Sequence, residues 1–332
     1  MNVLEVKDLS ISFLNGSGKK VPTVSNVSFA LKRGEILAIV GESGCGKSIT
    51  CMSLSKLLPC PPAYLSGDIS LVRRDGSVSS ILELTKPELR KIRGGEIAYI
   101  FQEPSVSLNP VFRVGTQIEE VLSLHRPEIT DRKEAVVSLL EKVGIPSPAE
   151  RAKAYPHELS GGMQQRVMIA MALASNPSIL VADEPTTALD VTIQAQILDL
   201  LKQLREEQKM SVILVTHNLG IVSEMADRVC VMYAGKLIEI ASVEELMNHP
   251  AHPYTEALLK AVPVLGGQKK KLSTIPGTVP IPSEFPAGCR FCDRCPVFAE
   301  TKNELCRTTA PSLKETGNGH FCACHFPARE KS

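Results

Sequence analysis

The chain has 332 residues, 43% of them hydrophobic and 22% charged, enough for one large globular domain and a smaller appendage. Thirty-seven Lys and Arg against 36 Asp and Glu leave a net charge of +1, so there is no broad basic field and no sign of a nucleic-acid partner. No apolar run approaches the roughly 20 residues of a membrane span, and Met1 to Asp8 lacks the basic and apolar regions of a signal peptide. The expectation is a protein of the cytosol whose membrane role, if it has one, comes through partner chains.

In chain order, residues 3–13 and 23–32 read as strands around the turn Asn15-Gly16-Ser17-Gly18, an antiparallel opening sheet. Ile36 to Val40 is continuously apolar, which marks a strand buried on both faces. The loop Gly41-Glu42-Ser43-Gly44-Cys45-Gly46-Lys47-Ser48 follows at once and satisfies GxxxxGK[ST] in full. A helix is predicted from Lys47 to about Leu58, stopped by Pro59, Pro61 and Pro62. Ile97 to Phe101 predicts a second buried strand ending at Gln102. Residues 114–155 predict helices broken by Pro127, Pro146 and Pro148. Ser178 to Asp183 is a third buried strand, Val191 to Gln208 an amphipathic helix, and Ser211 to Thr216 a fourth strand ending at His217. Ala234-Gly235 predicts a hairpin turn. Strands alternating with helices imply a mainly parallel sheet with ligands at the strands' C-terminal ends.

The loop from Gly41 to Ser48 is suited to phosphates. Backbone N–H groups and a helix N-terminus surround them, Lys47 reaches the β- and γ-phosphates, and Ser48 ligates Mg²⁺. Asp183 and Glu184 close the third strand, where one acid can hold the Mg²⁺ water shell and its neighbour can polarise an attacking water. Taken alone, the same pair could merely cap the turn at Pro185. Leu159-Ser160-Gly161-Gly162-Met163-Gln164-Gln165 opens another helix with a second phosphate-compatible N-terminus. One chain with two such surfaces suggests ATP held between two subunits, one supplying each surface.

This pair of motifs resembles the ATP-binding cassette (ABC) family over roughly the first three quarters of the chain. The resemblance implies a P-loop NTPase α/β fold: a RecA-like core with a parallel sheet, an N-terminal antiparallel β subdomain and a helical subdomain at about 103–160. It assigns Glu184 as general base and His217 as the histidine that contacts the γ-phosphate. It assigns Asp183, Gln102 and Ser48 to Mg²⁺, and Phe13 to stacking on adenine, where Tyr is commoner. Gly41 to Ser48, with Ile49, would hold ATP. Ser160, Gly161, Gly162 and Gln164 would face the other subunit's nucleotide, and Ala188-Leu189-Asp190 matches the loop that crosses the dimer interface.

His249 to Leu259, Gly41 to Gly44, and Phe101 to Pro104 with Ser107 to Pro110 resemble the oligopeptide/dipeptide (and nickel) importer branch, with Glu103 where Asp is usual. That branch implies an ATPase that powers peptide import from the cytoplasmic face of the inner membrane. Its partners would be a second ATPase subunit (a paralogue or a second copy), two transmembrane permeases and an extracytoplasmic solute-binding protein. Two rival readings are a nickel importer ATPase and a soluble ABC ATPase of translation or DNA repair. The latter usually carries two cassettes or a long coiled coil, and neither is seen here. A third rival makes the tail a metal sensor with the cassette as its motor.

Residues 1–254 are assigned to the cassette and 255–332 to an extension. Pro263, Gly266, Gly267 and Lys269 to Lys271 look like a linker. Six of ten cysteines follow it: Cys289, Cys292, Cys295, Cys306, Cys322 and Cys324. In a reducing compartment this cluster reads as metal ligands before disulfides. The spacing suits Zn²⁺ or a [4Fe–4S] cluster. The resemblance favours the iron–sulfur cluster on Cys289, Cys295, Cys306 and Cys324. Cys45 reads either as a redox switch or as one small residue tolerated in the loop, and His325 as a neighbour of Cys324.

Overall fold

A computed structural model describes residues 1–187, 190–261 and 274–328. Ala188, Leu189 and the expected linker lie outside the described residues. The strands are β1 (Asn2–Leu14), β2 (Lys20–Lys32), β3 (Ile36–Val40), β4 (Ala63–Val72), β5 (Val78–Ser80), β6 (Ile97–Ile100), β7 (Ile179–Asp183), β8 (Ser211–Thr216), β9 (Arg228–Tyr233), β10 (Lys236–Ser242), β11 (Lys314–Gly317) and β12 (His320–Cys322). The chain divides into two compact units: residues 1–3, 32–35 and 71–214 form one, and residues 4–31, 36–70 and 215–332 the other.

In the first unit, β6 and β7 run parallel, Ile97 beside Ile179 and Ile100 beside Ala182. Both are mostly buried and apolar, interrupted only by half-buried Tyr99 in β6 and Asp183 at the end of β7, as a strand covered on two faces requires. Helices Val114–His125, Arg132–Lys142 and Gly161–Ala174 pack on one another, and Ile118, Leu122, Val136 and Leu140 are buried on the first two. The prolines fall between these helices or at their starts, as the sequence predicts. Helix Val191–Gln208 is capped by Asp190, whose carboxylate accepts from the Ile193 N–H at 3.0 Å.

In the second unit, β2, β1 and β4 are successive neighbours in one sheet and β3 pairs in parallel with β9. β9 turns into β10 through Ala234 (φ 45°) and Gly235 (φ 75°), the two left-handed residues a tight hairpin demands. A Cβ on Gly235 would lie 1.9 Å from the Thr23 carbonyl oxygen. The helix after the phosphate loop ends at Ser53, not near Leu58. Leu54 donates back to Cys51 in a tightened turn and Lys56 is left-handed (φ 54°), so the helix stops before any proline acts.

The tail continues the sheet. β12 pairs antiparallel with β10, Glu239 beside Cys322, and β11 pairs with β12. Helix Pro253–Lys260 runs across the residue 254–255 boundary. The fully buried Glu239 carboxylate accepts from the Ala251 N–H (2.6 Å), the His252 N–H (2.9 Å) and His320 Nε2 (2.7 Å). The hydrogen bond to Glu239 holds His320 protonated above its ordinary range. A raised histidine pKa contributes stability that is complete below about pH 6.5 and lost as pH rises through the raised value. Denaturant midpoints should therefore fall as pH rises above about 6.5, with a flatter profile in His320→Gln. His320→Leu should cost about 3 kcal/mol by stripping the buried carboxylate of its charged partner.

Candidate functional site

The phosphate loop leaves the buried end of β3. Gly41 passes so close to β9 that a Cβ would lie 2.2 Å from the Met232 carbonyl oxygen, so no larger residue fits. Gly46 (φ 101°) starts helix Lys47–Ser53. Lys47 is 6% exposed, and its Nζ donates to the carbonyls of Gly41 (2.7 Å) and Glu42 (3.0 Å). The cation is thus folded onto its own loop. Ser48 and Ile49 are half-buried, whereas Ser43 and Gly44 face solvent. Cys45 is 1% exposed and burial pushes its thiol up, which favours the reading of a small packing residue over a redox switch.

An aromatic trio backs the loop. The rings of Tyr233, Tyr254 and Phe291 lie 4.7–5.3 Å apart, and all three are buried. The Glu42 N–H donates to the Tyr254 hydroxyl at 2.9 Å. The Glu42 carboxylate accepts from Arg294 Nη1 at 3.1 and 3.2 Å. In the same unit, half-buried Phe13 lies on β1 and exposed His217 follows β8.

The first unit carries two further groups. Gln102 Nε2 donates to Glu184 Oε2 (3.1 Å), and the Thr187 hydroxyl donates to the same oxygen (2.8 Å). Glu184 is left-handed (φ 46°), which turns it off the end of β7 behind Asp183. Elsewhere, Ser160 caps the helix Gly161–Ala174, its Oγ accepting from the Met163 N–H at 3.3 Å. Ser160 and Gly161 are exposed, and a Cβ on Gly161 would meet nothing within 4 Å. Gly162 lies against Ile193. Gln164 turns inward and donates to the carbonyls of Pro156 (2.9 Å) and Leu159 (3.2 Å), which stiffens the approach to the helix. The result is a helix start with bare backbone donors, open on its outer side.

In the tail, Cys289, Cys292, Cys295, Cys306 and Cys324 line one small apolar pocket with Phe291 and Phe298. Cys322 is not among its lining residues. All six tail cysteines are free. Burial pushes the Cys289 thiol up to about 12 and those of Cys292 and Cys324 to about 11, with neighbouring thiols adding to the effect. Among the described residues, no three His, Cys, Asp or Glu side chains stand ready around a metal ion. The donor set suits a thiolate-bound centre all the same. Four expected ligands converge on one apolar site, and such thiols lose their protons only when a cation replaces them. His325 also borders this pocket, with Nε2 2.8 Å from the Thr309 carbonyl.

Sequence reasoning missed Tyr254, Tyr233 and Arg294 as supports of the loop. It gave His320 no role. The run His249 to Leu259 held the one available signal, since it includes Tyr254.

A complete phosphate loop leaving a buried strand that pairs in parallel with its neighbour defines a P-loop NTPase. The chain matches the ABC transporter family over residues 24–187 and the oligopeptide/dipeptide transporter C-terminal region over residues 238–301. It is 46% identical over 330 residues to the oligopeptide transport ATP-binding protein AppD of Bacillus subtilis, spanning 99% of this chain and 98% of that protein. A Brucella ovis protein provisionally named as a peptide import ATP-binding protein is 45% identical, spanning 97% and 96%. The fold is similar to a dimeric, post-hydrolysis structure of the cassette MJ0796 bound to ADP and Pi (TM-score 0.62, 30% identity, 72% of this chain and 98% of that one). It is also similar to CbiO1 of Clostridium perfringens, part of an ABC transporter complex (TM-score 0.60, 28% identity, 74% and 90%). This chain belongs to the ABC transporter ATP-binding family, in the branch that carries the oligopeptide/dipeptide transporter C-terminal region.

Proposed function

We propose that this chain hydrolyses ATP to power peptide import through a membrane ABC transporter. The observation that carries this reading is the coexistence of a complete phosphate loop with the open, capped helix start at Ser160 and Gly161. The peptide-import relatives and the matched C-terminal region point to the cargo. Two cassettes close head-to-tail, each phosphate loop facing the partner's Ser160 edge. The dimeric state of the MJ0796 structure supports the pairing of two cassettes.

Lys47 swings from its two carbonyls to the β- and γ-phosphates while the loop N–H groups hold the phosphate oxygens. Ser48, Asp183 and Gln102 would hold Mg²⁺, which neutralises charge on those oxygens. Glu184 takes the proton of the attacking water, and Gln102 and Thr187 fix its carboxylate meanwhile. His217 contacts the γ-phosphate, Phe13 stacks on adenine, and Asp190 belongs to the loop crossing the interface. The cassette occupies residues 1–254 and the extension 255–332.

Among the described residues no helix is long and apolar enough to cross a membrane. The chain works at the cytoplasmic face of the inner membrane, with two permeases, a second ATPase subunit (a paralogue or a second copy) and an extracytoplasmic solute-binding protein. A strain lacking this chain should fail to grow on defined peptides and should recover with the wild type but not with Glu184→Gln. Equal recovery with both would contradict the assignment.

Cys289, Cys295, Cys306 and Cys324 would hold a [4Fe–4S] cluster, which supplies a structural or redox centre to the tail. Anaerobically prepared protein should contain about four irons per chain and show a visible absorption band, both lost in Cys306→Ser. Colourless protein with stoichiometric zinc would assign Zn²⁺ to this pocket instead.

A further inference from the structure

Arg294 stands between Cys292 and Cys295, on the short turn Cys292–Arg294. Both cysteines line the tail pocket. Its side chain is only 7% exposed and points away from that pocket's chemistry, into the back of the phosphate loop. Nη1 donates to both Glu42 carboxylate oxygens and to the Tyr233 hydroxyl (3.2 Å). Nε donates to the Pro276 carbonyl (2.7 Å), and Nη2 lies 3.5 Å from the Ile275 carbonyl. One guanidinium therefore joins four segments: the phosphate loop, β9, residues 275–276 and the cysteine turn.

Glu42 has reason to be held. It lies between Gly41 and Ser43 in a loop that must keep its shape to present N–H groups to phosphate. Its N–H is already committed to Tyr254, and its carbonyl accepts from Lys47. A free carboxylate beside a triphosphate would repel it; paired with Arg294 and turned to the loop's rear, it does not.

The geometry points to Arg294 as a positioning residue for the nucleotide, through which the state of the cysteine pocket sets ATP affinity. A change at Cys292 or Cys295 shifts the turn that carries Arg294, and the loop loses its rear anchor. This inference rests on the phosphate loop binding ATP.

The test is equilibrium binding of a fluorescent ATP analogue to the full chain. Arg294→Gln should weaken binding about tenfold, the worth of one charge-assisted pair, and Arg294→Lys should recover part of it. Glu42→Gln on the Arg294→Gln background should weaken binding no further and should restore part of it, because it neutralises the carboxylate that Arg294→Gln leaves unpaired beside the phosphates. Cys295→Ser should weaken binding in the wild type and have no further effect on Arg294→Gln. Thermal unfolding of each variant separates a loosened loop from a lost fold, and Glu42→Gln alone serves should Arg294→Gln fail to fold. Arg294→Gln or Glu42→Gln binding within about twofold of the wild type, or additive effects in either double variant, overturns the inference. No analogue binding by the wild type would instead defeat the ATPase reading itself.

Discussion

Glu184→Gln is expected to cut ATP turnover by about a thousandfold while leaving ATP binding within about threefold of the wild type. The Glu184 side chain is held by two donors on one oxygen, Gln102 Nε2 and the Thr187 hydroxyl. Both contacts aim a carboxylate that can take a proton. Glutamine fills the same space but is not a base. Its carbonyl oxygen can still accept from both donors, so the local structure stays put. The loss falls on the chemical step alone, and the ATP-bound state accumulates. Phosphate release and filter binding, measured on one preparation, check both halves. Turnover above about a tenth of wild type would remove Glu184 from the base role.

Lys47→Met is expected to lower ATP affinity by at least about a hundredfold, close to 3 kcal/mol. Methionine retains most of the stem that packs in this 6% exposed site and deletes only the ammonium. Two carbonyls, on Gly41 and Glu42, lose their donor in the free protein. Stability should fall by about 1 kcal/mol, far less than the binding loss. Titration calorimetry and thermal unfolding separate the two quantities. Equal losses in both would mean that Lys47 only supports the loop.

The sequence marks elements best where burial and punctuation agree. β3 is an unbroken apolar run and β8 is one between Ser211 and Thr216; Gly41 and His217 bound them, and their ends fall as predicted. Helix Val191–Gln208 is equally plain from the spacing of its apolar residues, whereas its Asp190 cap shows only in the structure. β4 was not legible, because Gly67, Asp68 and two serines interrupt its alternation and three prolines lie just before it. β11 and β12 have four and three residues, and β11 is wholly exposed, so no periodicity could mark them. They exist because β10 offers an edge.

The same limit applies to the site. The phosphate loop and the Ser160 helix start are local motifs, so spacing alone revealed them. The Arg294–Glu42 bridge joins residues 252 positions apart, and Glu239 meets His320 across 81. Such partners become visible only when the fold closes.

The proposed ATP site is shared between one chain's phosphate loop and another chain's Ser160–Gly162 edge. The decisive measurement pairs Ser160→Arg and Gly161→Asp in every copy of this chain in the assembled transporter. ATP binding to the isolated chain should stay within about threefold of wild type, and turnover by the assembly should fall at least about a hundredfold. Turnover near the wild-type rate, or affinity lost in parallel in the isolated chain, would contradict the shared site.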